Sequence, residues 1–262
     1  MKKTRIVAYV LAAAMLSAAP AAAFAASDSS QAATENTGDT ELSGADLSSG
    51  KTLPAGGSEA AGQRPAYRAS DYVKIEDDGY RNMTFRLYPP ADNSDAALAE
   101  YKKQLDTDIL TQLYSMYPVD HYPEDLENYV TESLTSTYRQ YAEMYGMDFG
   151  KFLGTYLGTD EASFSRQVKD AAEKTLKQEL LLGAVAEKEN ITVSDEEYEK
   201  GLSDYAAEYG YASADELLAD FDEATVRVSL LMDKTLDFLE KTSTVEQIIE
   251  TESEALTETE SE

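Results

Sequence analysis

The sequence predicts a mainly α protein, a multi-helix array preceded by a small β-hairpin. From about residue 94 to residue 242, apolar residues recur at spacings of three and four, the period of an amphipathic helix. Residues that favour helix N-termini, and glycines that favour C-termini, divide this stretch into separate helices. The folded part, residues 67–242, has about 175 residues, enough to bury a stable core.

The hairpin is expected in residues 67–90. Residues 72–75 and 80–87 are rich in strand-forming side chains, and Asp78-Gly79 between them is typical of a tight turn. Apolar residues of the second segment alternate with polar ones, which favours a strand with one buried face. Those apolar residues are Met83, Phe85 and Leu87.

The helical part, residues 91–242, divides into seven predicted segments. Ser94 suits the start of the first, and Ser194 and Ser213 each precede a Glu three residues later, the pattern of a capping box. Residues 141–146 and 205–210 are similar and each ends in Gly, which recurring helix-ending chemistry explains better than a true repeat. The segments are 94–117, 123–145, 148–156, 160–188, 194–209, 213–221 and a final helix through residues 226–238.

The first 25 residues are predicted to be a secretory signal peptide. Three basic residues precede an apolar run at residues 6–16, and residues 23–25 form a small-x-small cleavage site. The apolar run is shorter than the roughly 20 residues that a membrane span needs. We therefore expect a secreted, extracytoplasmic protein of a bacterial cell envelope, without a membrane span after cleavage.

Two further segments are predicted to be disordered. Residues 26–66 are rich in Ser, Gly and Ala and form a tether, and residues 243–262 form an acidic tail. The formal charge of the whole chain is −28. Removal of the signal peptide takes away three basic and no acidic residues, which leaves 19 − 50 = −31.

Composition and motifs exclude several classes of function. The negative charge disfavours nucleic acid and anionic membranes as partners. The absence of Cys, the single His and the lack of phosphate-binding loops leave no expected metal site, cofactor or catalytic residue. Paired acidic residues mostly lie at helix starts, where capping explains them, and His121 lies in a predicted turn.

Aromatic and Met residues crowd one region between residues 114 and 156. Such side chains form adaptable apolar contacts and are common on surfaces that bind many partners. A place in the core between helices is the alternative for each single residue. The candidate client-binding residues are Met144, Tyr145, Met147, Phe149, Phe152 and Tyr156.

Three stretches, residues 141–153, 176–198 and 209–217, resemble the C-terminal chaperone domain of bacterial trigger factor in order and spacing. The likeness covers about residues 114–241. Residues 71–75 are similar to the short strand before the isomerase domain in relatives of this group. The chain departs from trigger factor in its signal peptide and in having no room between Leu87 and Ser94 for a peptidyl-prolyl isomerase domain.

The resemblance implies an all-helical, SurA-like fold whose arms hold unfolded chains without ATP. The expected partners are unfolded or nascent secreted proteins, and the oligomeric state stays open. Two alternatives remain: a peptidyl-prolyl isomerase by family membership, against which the missing domain argues, and a cell-surface scaffold or interaction protein held out on the tether.

Overall fold

The computed structural model describes residues 62–248 and is mainly helical, as the sequence predicts. Strand β1 is followed by seven helices and by strand β2, and two single 3₁₀ turns precede β1. The elements are β1 Thr84–Leu87, α1 Asp95–Met116, α2 Glu124–Met144, α3 Phe149–Phe152, α4 Glu161–Glu189, α5 Asp195–Tyr209, α6 Ala214–Asp220, α7 Glu223–Thr242 and β2 Thr244–Gln247. A π turn, Leu153–Leu157, continues α3.

Side-chain caps fix the helix starts where the sequence predicts them. The Ser94 hydroxyl accepts the N–H of Ala97 at the start of α1, and Ser194 and Glu197 form the complete capping box of α5. Ser213 also caps α6. The second capping box is incomplete, because the Glu216 carboxylate accepts the N–H of Ala212 instead of that of Ser213.

A central body joins β1, β2 and α1 to the C-terminal halves of the long helices α4 and α7. Its largest fully buried side chains include Tyr80, Ile109 and Leu181, from three different segments. Chain segments far apart in sequence therefore share one apolar cluster.

The predicted hairpin is wrong in its pairing. Of its two segments, only β1 is a strand, and β1 pairs in parallel with β2, which brings Phe85 opposite Val245. Around the 3₁₀ turn Gly79–Arg81 the backbone finds other partners, since Lys188 Nζ donates to the carbonyls of Ile75 (3.2 Å) and Asp77 (2.6 Å). Because Lys188 of α4 binds these carbonyls, they do not need hydrogen bonds to a second strand.

Two arms extend the body. Arm 1 consists of α2, α3, the π turn and the N-terminal half of α4, and arm 2 of α5, α6 and the N-terminal half of α7. Each arm has its own buried cluster, centred on Leu134, Phe152 and Phe164 in arm 1 and on Tyr205 and Leu217 in arm 2. Each long helix therefore belongs to an arm at one end and to the body at the other.

The two similar sequence stretches end their helices in the same way. Gly146 and Gly210 have φ values of +63° and +78°, the left-handed region that glycine adopts readily. The N–H of Met147 donates to the Ala142 carbonyl, and that of Tyr211 to the Ala206 carbonyl, at 2.9 and 2.8 Å. Recurring helix-ending chemistry, a Schellman-type cap, accounts for the likeness.

Both predicted disordered segments are too long. Arg64, near the end of the predicted tether, is buried against Glu179, and the first residues of the predicted tail form β2. Composition misses both because a single buried ion pair or a four-residue strand does not change the average of a segment. The predicted signal peptide and most of the predicted tether and tail lie outside the described residues. Between residues 62 and 248, no helix combines the length and apolarity needed to cross a membrane.

Candidate functional site

The six candidate residues lie together at the tip of arm 1. Met144 is the last residue of α2, Met147 lies in the following turn, and Phe149 and Phe152 are in α3. Tyr145 is the C-cap of α2 and Tyr156 lies in the π turn. Local caps build this tip, because Gly146 ends α2 and the Asp148 carboxylate accepts the N–H of Lys151 to start α3.

Three aromatic rings at this tip form a cluster of tilted ring contacts. Ring centroids lie 5.1 Å apart for Tyr145–Tyr156 and for Phe152–Tyr156, and 6.0 Å apart for Tyr145–Phe152, with interplanar angles of 30–37°. Phe152 is 6% exposed, whereas Tyr145 and Tyr156 are each 38% exposed. We call this three-residue cluster the aromatic patch. Its buried Phe supports two Tyr rings that remain open to a partner.

The other three candidates serve mainly the interior of arm 1. Met144, Met147 and Phe149 are partly buried against the arm 1 cluster, and the Phe149 ring meets Phe164 edge to face at 5.5 Å. Arg139 also lies over the Phe149 ring, with Cζ 5.7 Å from the ring centroid. These three side chains are partly buried in arm 1, so they present less surface to a client than the two exposed Tyr rings do.

The patch lies far from the place where the arms meet. Tyr129 of α2 contacts Asp222 and Thr225 at the start of α7. Tyr145 follows sixteen residues later, which corresponds to about 24 Å at the helical rise of 1.5 Å per residue. The aromatic patch is thus presented at the end of a projecting element.

The tip of arm 2 also has a helix that ends at a left-handed Gly and a short helix after it, but in the described part of the chain it has no equivalent aromatic patch. The Tyr211 hydroxyl donates to Asp220 at 2.6 Å, and the ring of Tyr209 packs edge to face on that of Tyr205 at 6.1 Å. Burial, and next the Asp220 carboxylate, raise the pKa of Tyr211. A carboxylate at position 220 therefore fixes a Tyr in arm 2, whereas in arm 1 Tyr156 stays exposed.

Sequence reasoning missed two features. One is the buried polar junction of Arg64, Glu179 and Asp222 between the arms. Its only signal in the sequence is Glu179, a charge within the apolar row of the longest helix. The other is a pair of exposed apolar side chains in the body, Tyr88 and Leu98. In residues 62–248 no three His, Asp or Glu side chains converge as a metal site.

The fold and its patch define a class of protein with helical arms that project from a small body. A family model described as the C-terminus of the bacterial trigger factor protein (TF) matches residues 93–241, more than half of the chain. The chain belongs to this family. The matched region begins just before α1 and ends one residue before the end of α7, and so contains both arms.

Several curated trigger factors are similar to part of this chain. The trigger factor of Geobacillus thermodenitrificans is 36% identical over 117 residues, 44% of this chain and 27% of the relative. That of Acetivibrio thermocellus is 28% identical over 148 residues, 56% of this chain and 34% of the relative. The chain thus spans about a third or less of the length of these relatives. No solved structure matches it.

Proposed function

We propose that this protein is an exported, ATP-independent chaperone that holds unfolded secreted polypeptides against the aromatic patch of arm 1. Membership of the trigger factor C-terminal family supports a role in protein folding. The observation that carries the proposal is the pair of exposed Tyr rings in contact with each other and with Phe152. Export rests on the predicted signal peptide, and the formal charge of −31 after cleavage favours basic clients.

The exposed area limits how tightly one such patch can bind. A Tyr side chain has about 200 Å² of surface, so two rings at 38% exposure offer about 150 Å². Complete burial contributes at most about 4 kcal/mol at about 25 cal/mol per Å². Polar hydroxyls and lost side-chain freedom reduce this to about 2 kcal/mol, a factor of about 30 in Kd. Weak contact suits a chaperone that must release its client.

Suppression of aggregation tests the proposal. The chain from residue 26 onward is added, without ATP, to a chemically unfolded basic client, and light scattering is followed. We expect suppression by the wild-type chain and a marked loss of it in Tyr145→Ser/Tyr156→Ser. Both rings are surface side chains, so this variant should keep the helical circular dichroism that loss of the buried Phe152 would endanger.

Tyr88→Ser is the matched control. Tyr88 is 60% exposed, more than either Tyr of the patch, but it follows β1 in the body. The same chemical change at this position should leave suppression intact. Failure of the wild-type chain to suppress aggregation of several clients would reject the holding function. An equal loss in both variants would reject the patch as its site.

A further inference from the structure

Residues 62–67 lie in the junction between the two arms. The backbone N–H of Arg64 donates to Asp222 Oδ2 at 2.9 Å, and Asp222 is the N-cap of α7 in arm 2. Its guanidinium donates to Glu179 of α4 and lies over the ring of Tyr129 in arm 1, with Cζ 5.5 Å from the centroid. Tyr67 adds a hydrogen bond to Glu179 at 2.5 Å. One short segment therefore touches both arms and the helix that joins arm 1 to the body.

Asp222 connects these contacts. Its Oδ1 accepts the N–H of Thr225 and so caps α7, while Oδ2 accepts both the N–H of Arg64 and the hydroxyl of Tyr129 (3.3 Å). Among the described residues, the apolar clusters of the two arms share no member. The link between the arms at this junction is thus polar: Tyr129 meets Asp222 and Thr225 directly, both at 3.3 Å, and Arg64 adds a shorter contact to Asp222.

The junction is buried but incompletely satisfied. Side chains of Arg64 and Glu179 are 1% and 2% exposed. Within the part of the chain that the structure describes, Arg64 Nε and Nη1 and Glu179 Oε2 have no hydrogen-bond partner. Desolvation offsets most of the attraction in a buried ion pair, and unpartnered polar atoms add to the cost. The docked segment is therefore held less firmly than its burial suggests.

The chemistry of the junction fits one kind of group. An aromatic face, a carboxylate that pairs with the guanidinium and a second carboxylate for the backbone N–H form a pocket for arginine in an extended chain. Burial lowers the pKa of Arg64, but the charge of Glu179, the hydrogen bond to it and the nearby Tyr67 and Tyr129 together raise this pKa above its ordinary value, so the guanidinium stays charged. We propose that the junction is a guanidinium-binding pocket whose resident ligand, Arg64, makes residues 62–67 a releasable latch that sets the angle between the arms.

The distance between the arm tips tests the latch directly. The chain contains no Cys, so Thr155→Cys in arm 1 and Ala219→Cys in arm 2, both at exposed positions, introduce two spin labels at chosen places. Pulsed electron spin resonance then gives the distance distribution in wild-type, Arg64→Ala and Arg68→Ala backgrounds. Arg68 is an exposed arginine four residues further along and is the matched control.

We expect Arg64→Ala to remain helical and to give a broader distribution, with Arg68→Ala unchanged. Ethylguanidinium at about 10 mM, far below the molar concentrations at which guanidinium denatures proteins, should restore the narrow distribution. This restoration should disappear when Glu179→Gln is added. An unchanged distribution, or loss of the helical signal in Arg64→Ala, would overturn the latch. Broadening without restoration would overturn the guanidinium pocket. Neither outcome depends on the proposed holding of clients.

Discussion

Gly201 lies where a side chain of one arm 2 helix packs tightly on another. A Cβ added at this position would lie 2.3 Å from Leu230 Cδ2, 2.7 Å from Cδ1 and 3.1 Å from Cγ. Gly201 is in α5 and Leu230 in α7, so the missing side chain lets these helices pack together. We therefore predict that Gly201→Ala destabilises arm 2, although Ala is the better helix former.

Two opposing effects set the change in the free energy of unfolding that Gly201→Ala should cause. In a helix interior, Gly→Ala alone stabilises by about 1 kcal/mol. Overpacking of a buried contact costs about 1–3 kcal/mol, and here the whole end of the Leu230 side chain must move. The net expectation is a loss of up to about 2 kcal/mol. Because the arm 2 cluster is separate from those of arm 1 and the body, the loss should be concentrated in α5 and α6.

Urea unfolding and amide hydrogen exchange measure this loss and its location. Gly154→Ala is the control, since the nearest atom to its added Cβ is the Thr159 carbonyl oxygen at 4.0 Å. The control should be neutral or slightly stabilising. Gly201→Ala combined with Leu230→Ala should cost less than the sum of the two single changes, because the small side chain leaves room for the new methyl. A stabilised Gly201→Ala would refute the close packing of α5 on α7.

Two further predictions concern the start of α5. Glu197 accepts from Lys234 at 2.6 Å and from the Ser194 N–H, and these contacts lower its pKa. The ionised Glu197 therefore stabilises the folded state above its pKa in the unfolded chain, and this contribution is lost as the pH falls through its lower pKa in the folded protein. Glu197→Gln should thus be less stable than wild type at pH 7. This difference should begin to shrink in acid denaturation curves as the pH falls below the unfolded pKa of about 4.3, and a difference independent of pH would contradict the ion pair. Ser194→Ala should cost about 1 kcal/mol in urea unfolding through loss of the N-cap, with Ser194→Thr nearly unchanged; equal losses would argue against the cap.

Local chemistry made much of this fold predictable. Helix starts at Ser94, Asp148 and Ser194, and the helix end at Gly210, depend on residues within four positions of each other, so the sequence displays them directly. The partner of β1 could not be read in this way. β2 lies about 160 residues further along the chain, and its pairing depends on how α7 returns to the body.

The candidate site was predictable as a region but not as a surface. Tyr145, Phe152 and Tyr156 were identified together because aromatic residues crowd this stretch, and the structure places their rings in contact. Periodicity does not reveal that Phe152 is buried while Tyr156 is exposed, since residues four apart share one face of a helix and the sequence pattern treats them alike. The buried position of Arg64 could not be predicted for another reason: it lies in a segment whose Ser, Gly and Ala content is typical of a flexible tether.

Site-specific crosslinking tests most directly whether a client lies against the aromatic patch. A photoreactive benzoylphenylalanine replaces Tyr156 in one variant, Tyr88 in a second and Ala219 of arm 2 in a third, and each is irradiated with a permanently unfolded basic client. All three positions are exposed. The account predicts strong crosslinking from position 156 and much less from the other two. Equal yields from the three positions, or a maximum in arm 2, would contradict it.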